Sequence, residues 1–327
     1  MNLSNIHKLL LIRLSSLGDV LLTTPLIRAV KKQYPQVSID FVVNEQFADI
    51  LSQNPRLRKI YRFNTENSEK LSKLLNENTY DRIIDLQNNF RSKRLLKKIN
   101  APVSRFNKRD IEKFLLVHFK INRLKNAPPI PIRYAQTIDK ISLDNKGLEL
   151  FTNKQANSKL NSSEKFIGLC PGAKHFTKMW PKDYFIELGH LLETNGFSVV
   201  LFGGKDDKNI CADIERKLNS AINLCNNNDI LQTAADMKQC KVIYCNDSGL
   251  MHTATAVNVP VIAFFGATVK EFGFTPYKSK SIILENNSLT CRPCTHIGKD
   301  HCPKKHFKCM MELTPGMALE KLKIFTA

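Results

Sequence analysis

Apolar residues run in short blocks separated by polar turns, and the blocks alternate between two spacings. Lys8–Leu14 (KLLLIRL) is a continuous apolar run of strand length that ends in the turn Ser15-Ser16-Leu17-Gly18. From Asp19 to Gln33 the positions Leu22, Leu26, Ala29 and Val30 share one helical face, and Pro35 follows the end. Ser38–Val43 and Tyr80–Leu86 read as strands and 68–76 as a helix. Strand-helix-strand order with short links predicts a parallel sheet covered by helices. Residues 109–121 (RDIEKFLLVHFKI) form a basic, apolar helix candidate. NAPPIP (126–131) is a break, and Tyr134–Ile141 is predicted helical.

The pattern restarts after a polar stretch. Residues 144–163 are rich in Asn, Ser and Lys without a period, and the interdomain linker is expected there. Strands are predicted at Phe166–Cys170, Ser198–Phe202, Ala221–Cys225, Lys241–Cys245 and Pro260–Phe265. Helices are predicted at Lys182–Glu193, 207–218, 229–238, Gly249–Val257 and 314–324. The reading is therefore α/β, with two Rossmann-like doubly wound domains, 1–150 and 164–327, joined by 151–163. Ligands of such folds bind at the C-terminal edges of the strands, so a central cleft between two such edges is expected.

Composition removes several classes. Of 327 residues 43% are hydrophobic and 24% charged, which suits packed cores rather than disorder. No apolar run approaches the roughly 20 residues of a membrane span. Met1 to Lys8 is polar, and Leu9–Ile12 is too short for the apolar core of a signal peptide, so a cytoplasmic location is expected. Nine cysteines, odd in number and scattered, point to thiols or metal ligands rather than a disulfide framework.

The formal net charge is +19, and it is uneven. Residues 1–150 hold 27 Lys/Arg against 14 Asp/Glu, and 91–125 alone hold 12 against 2. Such a field favours anionic partners, whether nucleic acid, phosphorylated sugar or an acidic membrane surface; it is equally compatible with a solvated basic face.

Four segments could carry chemistry. In Ser15–Val20, Gly18 permits a tight turn, and Asp19 stands at a helix mouth, where a carboxylate either caps the helix or acts as a general base. In Cys170-Pro171-Gly172-Ala173, followed by Lys178-Met179-Trp180-Pro181, a strand runs into a glycine loop with one lysine and a helix start, which suits a phosphate. Asn246-Asp247-Ser248-Gly249-Leu250-Met251-His252 follows a strand and opens a helix; it is either a diphosphate site or an Asp/Ser cap. Neither Gly-x-Gly-x-x-Gly nor a P-loop is present, which weakens a dinucleotide reading. Cys291-x2-Cys294-x7-Cys302-x6-Cys309, with His296, His301 and His306 between, has zinc spacing in its first half only. Structural zinc, packed thiols and redox chemistry all remain open for it.

Taken together, IRLSSLGDVLLTTPLIRAVKKQYP (12–35), PGAKHFTKMWP (171–181) and NDSGLMHTATAVNVPVIAFFGAT (246–268) resemble glycosyltransferase family nine, the bacterial lipopolysaccharide heptosyltransferases. Their order and spacing also match. The resemblance runs from about residue 8 to 325 and is weak through 45–160. It implies a GT-B fold and an inverting transfer of heptose from ADP-heptose to the phosphorylated inner core of lipopolysaccharide. No cofactor or catalytic metal would be required. It implies a catalytic Asp19, with Lys178 assisting. It implies donor contacts from Gly18, Gly172, Lys178, Asp247, Ser248, Gly249 and His252. Serine stands at 248 where threonine is commoner in the family, and loop 173–177 is shorter. The acceptor would be gripped by Arg91, Lys93, Arg94, Lys97 and Lys98, at an anionic inner-membrane surface to which the protein is peripheral. Helix 109–121 is expected either on that surface or packed inside the N-terminal domain.

Two other transferase-fold readings compete: use of another ADP-, UDP- or GDP-sugar, and a binding protein that has lost catalysis. A zinc-stabilised nucleic-acid-binding protein accounts for the charge and cysteines, but no helix-turn-helix or RNA-recognition signature is present and the two loops stay unexplained.

Overall fold

The computed structural model describes residues 6–152, 157–160 and 164–326. The chain divides into two compact units, residues 1–109 with 128–151, and residues 110–127 with 152–327. In unit 1 the order is β1 (Lys8–Ile12), α1 (Leu17–Leu21), α2 (Thr24–Gln33), β2 (Ser38–Asn44), α3 (Asp49–Ser52), β3 (Lys59–Phe63), α4 (Ser68–Glu77), β4 (Arg82–Asp85), α5 (Phe90–Leu96) and β5 (Val103–Arg105). Helix α6 (Asp110–Phe119) belongs to unit 2, and α7 (Ile130–Ala135) returns to unit 1. Unit 2 continues with β6 (Phe166–Cys170), α8 (Lys182–Thr194), β7 (Ser198–Leu201), α9 (Lys208–Glu215), β8 (Ile222–Asn223), α10 (Ile230–Met237), β9 (Cys240–Asn246), α11 (Gly249–Ala256), β10 (Val261–Phe265), β11 (Ser281–Glu285), α12 (Lys308–Met311) and α13 (Pro315–Thr326).

Both sheets are wholly parallel. Unit 1 has the order β3-β2-β1-β4-β5, and unit 2 has β11-β10-β9-β6-β7-β8. Counted from each unit's own first strand, both follow the doubly wound order 3-2-1-4-5, with a sixth strand in unit 2. The order therefore reverses between β1 and β4 in unit 1 and between β6 and β9 in unit 2. A crevice opens at such a switch point, outside the strand ends. The central strands are buried on both faces, which is why Leu9–Ile12, Phe166–Cys170 and Val261–Phe265 read as unbroken apolar runs.

Several boundaries differ from those expected, each for a local reason. The single helix expected over Asp19–Gln33 is two. Thr23 Oγ1 and Thr24 Oγ1 donate back to the carbonyls of Val20 and Leu21, and Pro25 opens the second helix at its first turn. The break at 126–131 is itself the start of α7, because Pro131 is tolerated in a first turn; the helix expected at Tyr134–Ile141 has largely ended by then. The linker is shorter than 144–163 suggests. Asp144 takes two hydrogen bonds from Arg28, and Glu149 pairs with Arg28 and Arg56, which ties 144–149 to unit 1. The unit boundary falls between 151 and 152, while 153–156 and 161–163 lie outside the described residues.

The largest correction concerns α6. It lies outside the N-terminal unit, because Leu116 and Leu124 bury against Phe272, with Val117, Ala127, Val269 and Phe274 around them. Its other side leaves Ile111, Phe114 and Phe119 exposed. No helix among the described residues is long and apolar enough to cross a membrane.

Candidate functional site

In unit 1, β1 runs out at Ile12 and delivers Arg13 to Asp19 to the switch point. The side chain of Gln87, just past β4, accepts the N–H groups of Leu14 and Ser15 and so holds the turn. Asp19 lies in the first turn of α1. One carboxylate oxygen accepts from Ser16 N–H at 3.1 Å and from Ser16 Oγ at 2.8 Å; the other meets Arg13 Nη2 at 2.5 Å. Arg13 also donates to Leu86 O at 2.7 Å. Burial on its own would raise the Asp19 pKa. The Arg13 charge and the Ser16 donors outweigh it and hold the carboxyl below its ordinary value. Burial likewise opposes the Arg13 charge, and Asp19 more than restores it. The result is an ionised carboxylate that completes the capping box of α1 and keeps 15% of its side chain open.

Helix α5 starts beside this turn. Asn89 caps it by accepting from Ser92 N–H, and Arg91 Nη2 lies 3.4 Å from Ser15 Oγ. Arg91, Lys93, Arg94, Lys97 and Lys98 are all exposed, as is Phe90. The basic cluster therefore begins at the Asp19 turn and extends along one short helix.

In unit 2 the second and third motifs meet, although some 70 residues separate them. Lys178 Nζ lies 2.7 Å from Asp247 Oδ2, and Thr268 Oγ1 donates to the same oxygen at 2.7 Å. Asn246, at the end of β9, ties the loops together. Its amide nitrogen donates to Pro171 O at 2.8 Å, and its oxygen accepts from Trp180 N–H at 2.9 Å. Trp180 is fully buried, stacks on Phe264 with ring centroids 4.0 Å apart, and donates from its indole to Leu313 O. A residue two positions from Lys178 is thus locked into the core, which limits where the lysine can go.

Ser248 precedes α11 in extended conformation, so the first N–H groups of that helix point out of its end. Ser248 Oγ is buried and meets no hydrogen-bonding partner among the described residues. A buried hydroxyl in that state costs stability unless a ligand or water completes it. His252 lies one turn on and is buried. Gly172 faces Asp207, whose Oδ1 would lie 1.9 Å from a Cβ at that position, so any side chain there would have to push the Asp207 carboxylate aside. Burial raises the Asp207 pKa, with Gly204 N–H opposing the shift and Asp206 adding to it.

Of the expected site residues, Gly172, Lys178, Asp247, Ser248, Gly249 and His252 fall on the strand ends and helix start of one unit. Gly18 falls in unit 1, inside α1 beside Asp19. Sequence reasoning passed over Arg13 and Asp207. Arg13 was signalled by a lone cation closing an apolar strand, whereas nothing local marks Asp207. For the zinc expectation, Cys291, Cys294 and Cys302 are partly exposed and Cys309 is buried. Among the described residues no three or more His, Cys, Asp or Glu side chains gather as a metal site would require.

The sequence profile of Glycosyltransferase family 9 (heptosyltransferase) matches residues 68–305. The chain is 27% identical to lipooligosaccharide heptosyltransferase 2 of Haemophilus influenzae, covering 96% of this chain and 98% of that one. It is 26% identical to lipopolysaccharide heptosyltransferase 2 of Escherichia coli, covering 96% and 97%. Among solved structures, that of E. coli ADP-heptose lps heptosyltransferase II superposes with a TM-score of 0.75 at 25% identity, covering 97% and 98%.

Proposed function

Because the chain belongs to glycosyltransferase family 9, the heptosyltransferases, we propose that it moves heptose from ADP-heptose to a lipopolysaccharide inner core, with inversion and without a catalytic metal. The observation that carries this reading is the Lys178–Asp247–Thr268 cluster beside the start of α11, where Ser248 Oγ has no partner among the described residues. An ammonium, helical N–H groups and a hydroxyl are the donors a diphosphate asks for.

The chemistry divides between the units. Asp19 takes the proton from the acceptor hydroxyl. As the proton leaves, that oxygen attacks the anomeric carbon from the face opposite ADP. The bond to the diphosphate breaks, and the charge that collects there is met by Lys178 and by the N–H groups of Ser248 and Gly249. Arg13 keeps Asp19 ionised before the reaction. The lowered pKa makes it a weaker base, which suits a step in which proton removal accompanies attack rather than precedes it.

Arg91 and the cations after it on α5 are assigned to the acceptor's phosphates, since Arg91 reaches Ser15 in the Asp19 turn. The exposed Ile111, Phe114 and Phe119 of α6, with the exposed Arg123 and Lys125 that follow it, support an anionic membrane surface as a further partner. Flotation with anionic but not neutral vesicles, lost in a Phe114→Ser, Phe119→Ser variant, is the result expected; no binding to either vesicle removes that partner.

The test of the main reading is a transfer assay with purified inner-core acceptors, preceded by thermal shifts with ADP, UDP and GDP. Selective stabilisation by ADP and transfer from ADP-heptose are expected. Preference for UDP or GDP replaces the donor while keeping the fold.

A further inference from the structure

Two features near the donor loops take no part in the chemistry above: the buried Arg292 and the cysteine-rich stretch around it. Arg292 has 4% of its side chain exposed, yet its donors are all engaged with the turn after β10 and the end of β11. Nε donates to Gly266 O at 2.6 Å. Nη2 donates to Phe265 O at 3.0 Å and Thr268 O at 2.9 Å, and pairs with Glu285 at 2.9 Å. Nη1 donates to Asn286 O at 2.6 Å. Phe265 to Thr268 is the turn that carries the hydroxyl bonded to Asp247.

The stretch after Arg292 holds the other side of the same cluster. Cys294 N–H donates to Ala267 O at 3.2 Å. Thr177, the neighbour of Lys178, bonds Lys299 reciprocally: its N–H donates to Lys299 O at 3.1 Å, and its Oγ1 accepts from Lys299 N–H at 2.8 Å. Thr177 O in turn accepts from Ala267 N–H at 3.3 Å. Phe307 stacks on Phe176 with centroids 4.7 Å apart. Gly298 approaches so closely that a Cβ there would lie 2.4 Å from His175, and its φ of +133° suits glycine alone.

We propose that residues 292–307 act as a brace that fixes the two donor loops against each other, with Arg292 as its positioning residue. Lys178 and Thr268 both converge on Asp247, and each is held from behind by this segment. The planar fork of an arginine meets five acceptors in fixed directions, which a lysine ammonium cannot reproduce. The inference rests on reading the Lys178 loop as the diphosphate site.

The test compares Arg292→Lys, Arg292→Met and Thr177→Val, each scored for donor KM, acceptor KM, kcat and ADP affinity, with Lys178→Met as reference. Donor KM and ADP Kd are expected to rise together, about tenfold or more in Arg292→Met and less in Arg292→Lys. Acceptor KM should stay within about twofold. Thr177→Val keeps the side-chain shape and the Arg292 contacts; a several-fold rise in donor KM is expected there even if the Arg292 variants fail to fold. Folded variants with unchanged ADP affinity, or with equal changes in both KM values, overturn the brace. Unchanged ADP affinity in Lys178→Met overturns instead the reading of that loop as the diphosphate site.

Discussion

The two switch points are built alike, with the partners of an ion pair exposed in opposite order. Each presents one carboxylate against one cation, Asp19 with Arg13 at 2.5 Å and Asp247 with Lys178 at 2.7 Å. In unit 1 the cation is the more buried partner, at 10% against 15%. In unit 2 the order reverses, with Asp247 at 7% and Lys178 at 18%. Arg13 springs from the end of a central strand, so its charge stays inside and serves the aspartate. Asp247 follows β9 and is roofed by Thr268, so it serves the lysine. One strand order thus leaves the carboxylate the more open partner in one unit and the ammonium the more open in the other, depending on which partner the strand itself supplies. An outward carboxylate suits removal of a proton; an outward ammonium suits a departing diphosphate.

The sharpest break of that contrast is Asp19→Asn, which keeps shape and removes the base. Transfer is expected to fall by about 10²–10⁴-fold while ADP affinity stays within about twofold, measured by product formation and calorimetry. Normal turnover would leave the Asp19 carboxylate without a chemical role. Next in size is Lys178→Met. ADP Kd should rise by about 10–100-fold, the loss of one charge-assisted bond, with acceptor KM little changed. Reversing Arg91, Lys93 and Arg94 to Glu should raise acceptor KM several-fold more than donor KM; equal effects on both would mean general damage.

The smallest effect expected is a shift in pH dependence. The folded pKa of Asp19 is depressed, so the stability it contributes is present above its unfolded pKa of about 3.9 and is lost as pH falls through the lower folded value. The acid limb of the rate profile belonging to Asp19 therefore lies below that ordinary value. Arg13→Gln should move the limb to higher pH, read from kcat/KM against pH. An unmoved limb would show that Arg13 does not set the ionisation of Asp19.

Much of this was legible along the chain, and the remainder depended on distance. The apolar runs at Leu9–Ile12 and Phe166–Cys170 announce central strands because both their faces are covered, and the loops after them carry candidate site residues. Asp19 could be read as cap or base from its place at a helix mouth, and the structure gives it both a cap's bonds and an open edge. The pairing of Lys178 with Asp247 could not be read, because no local pattern links positions that far apart. The threonines that interrupt the first long helix were visible, but their back-bonds depend on the turn they close. Arg292 looked like a spacer between two cysteines, since spacing rules weigh the ligands and not the residue between them. The periodicity of α6 revealed a helix with an apolar face and was silent on which core that face would join.

That last point reaches beyond placement. The backbone passes from one unit to the other at 109/110, at 127/128 and at 151/152. Unit 2 is therefore assembled from two stretches of chain, and no single cut yields both units whole. A fragment beginning at Thr152 would leave Phe272 without Leu116 and Leu124. A hybrid that exchanges unit 1 between relatives would have to keep residues 110–127 with unit 2 and graft around them. For a protein engineer, the interchangeable module here is discontinuous.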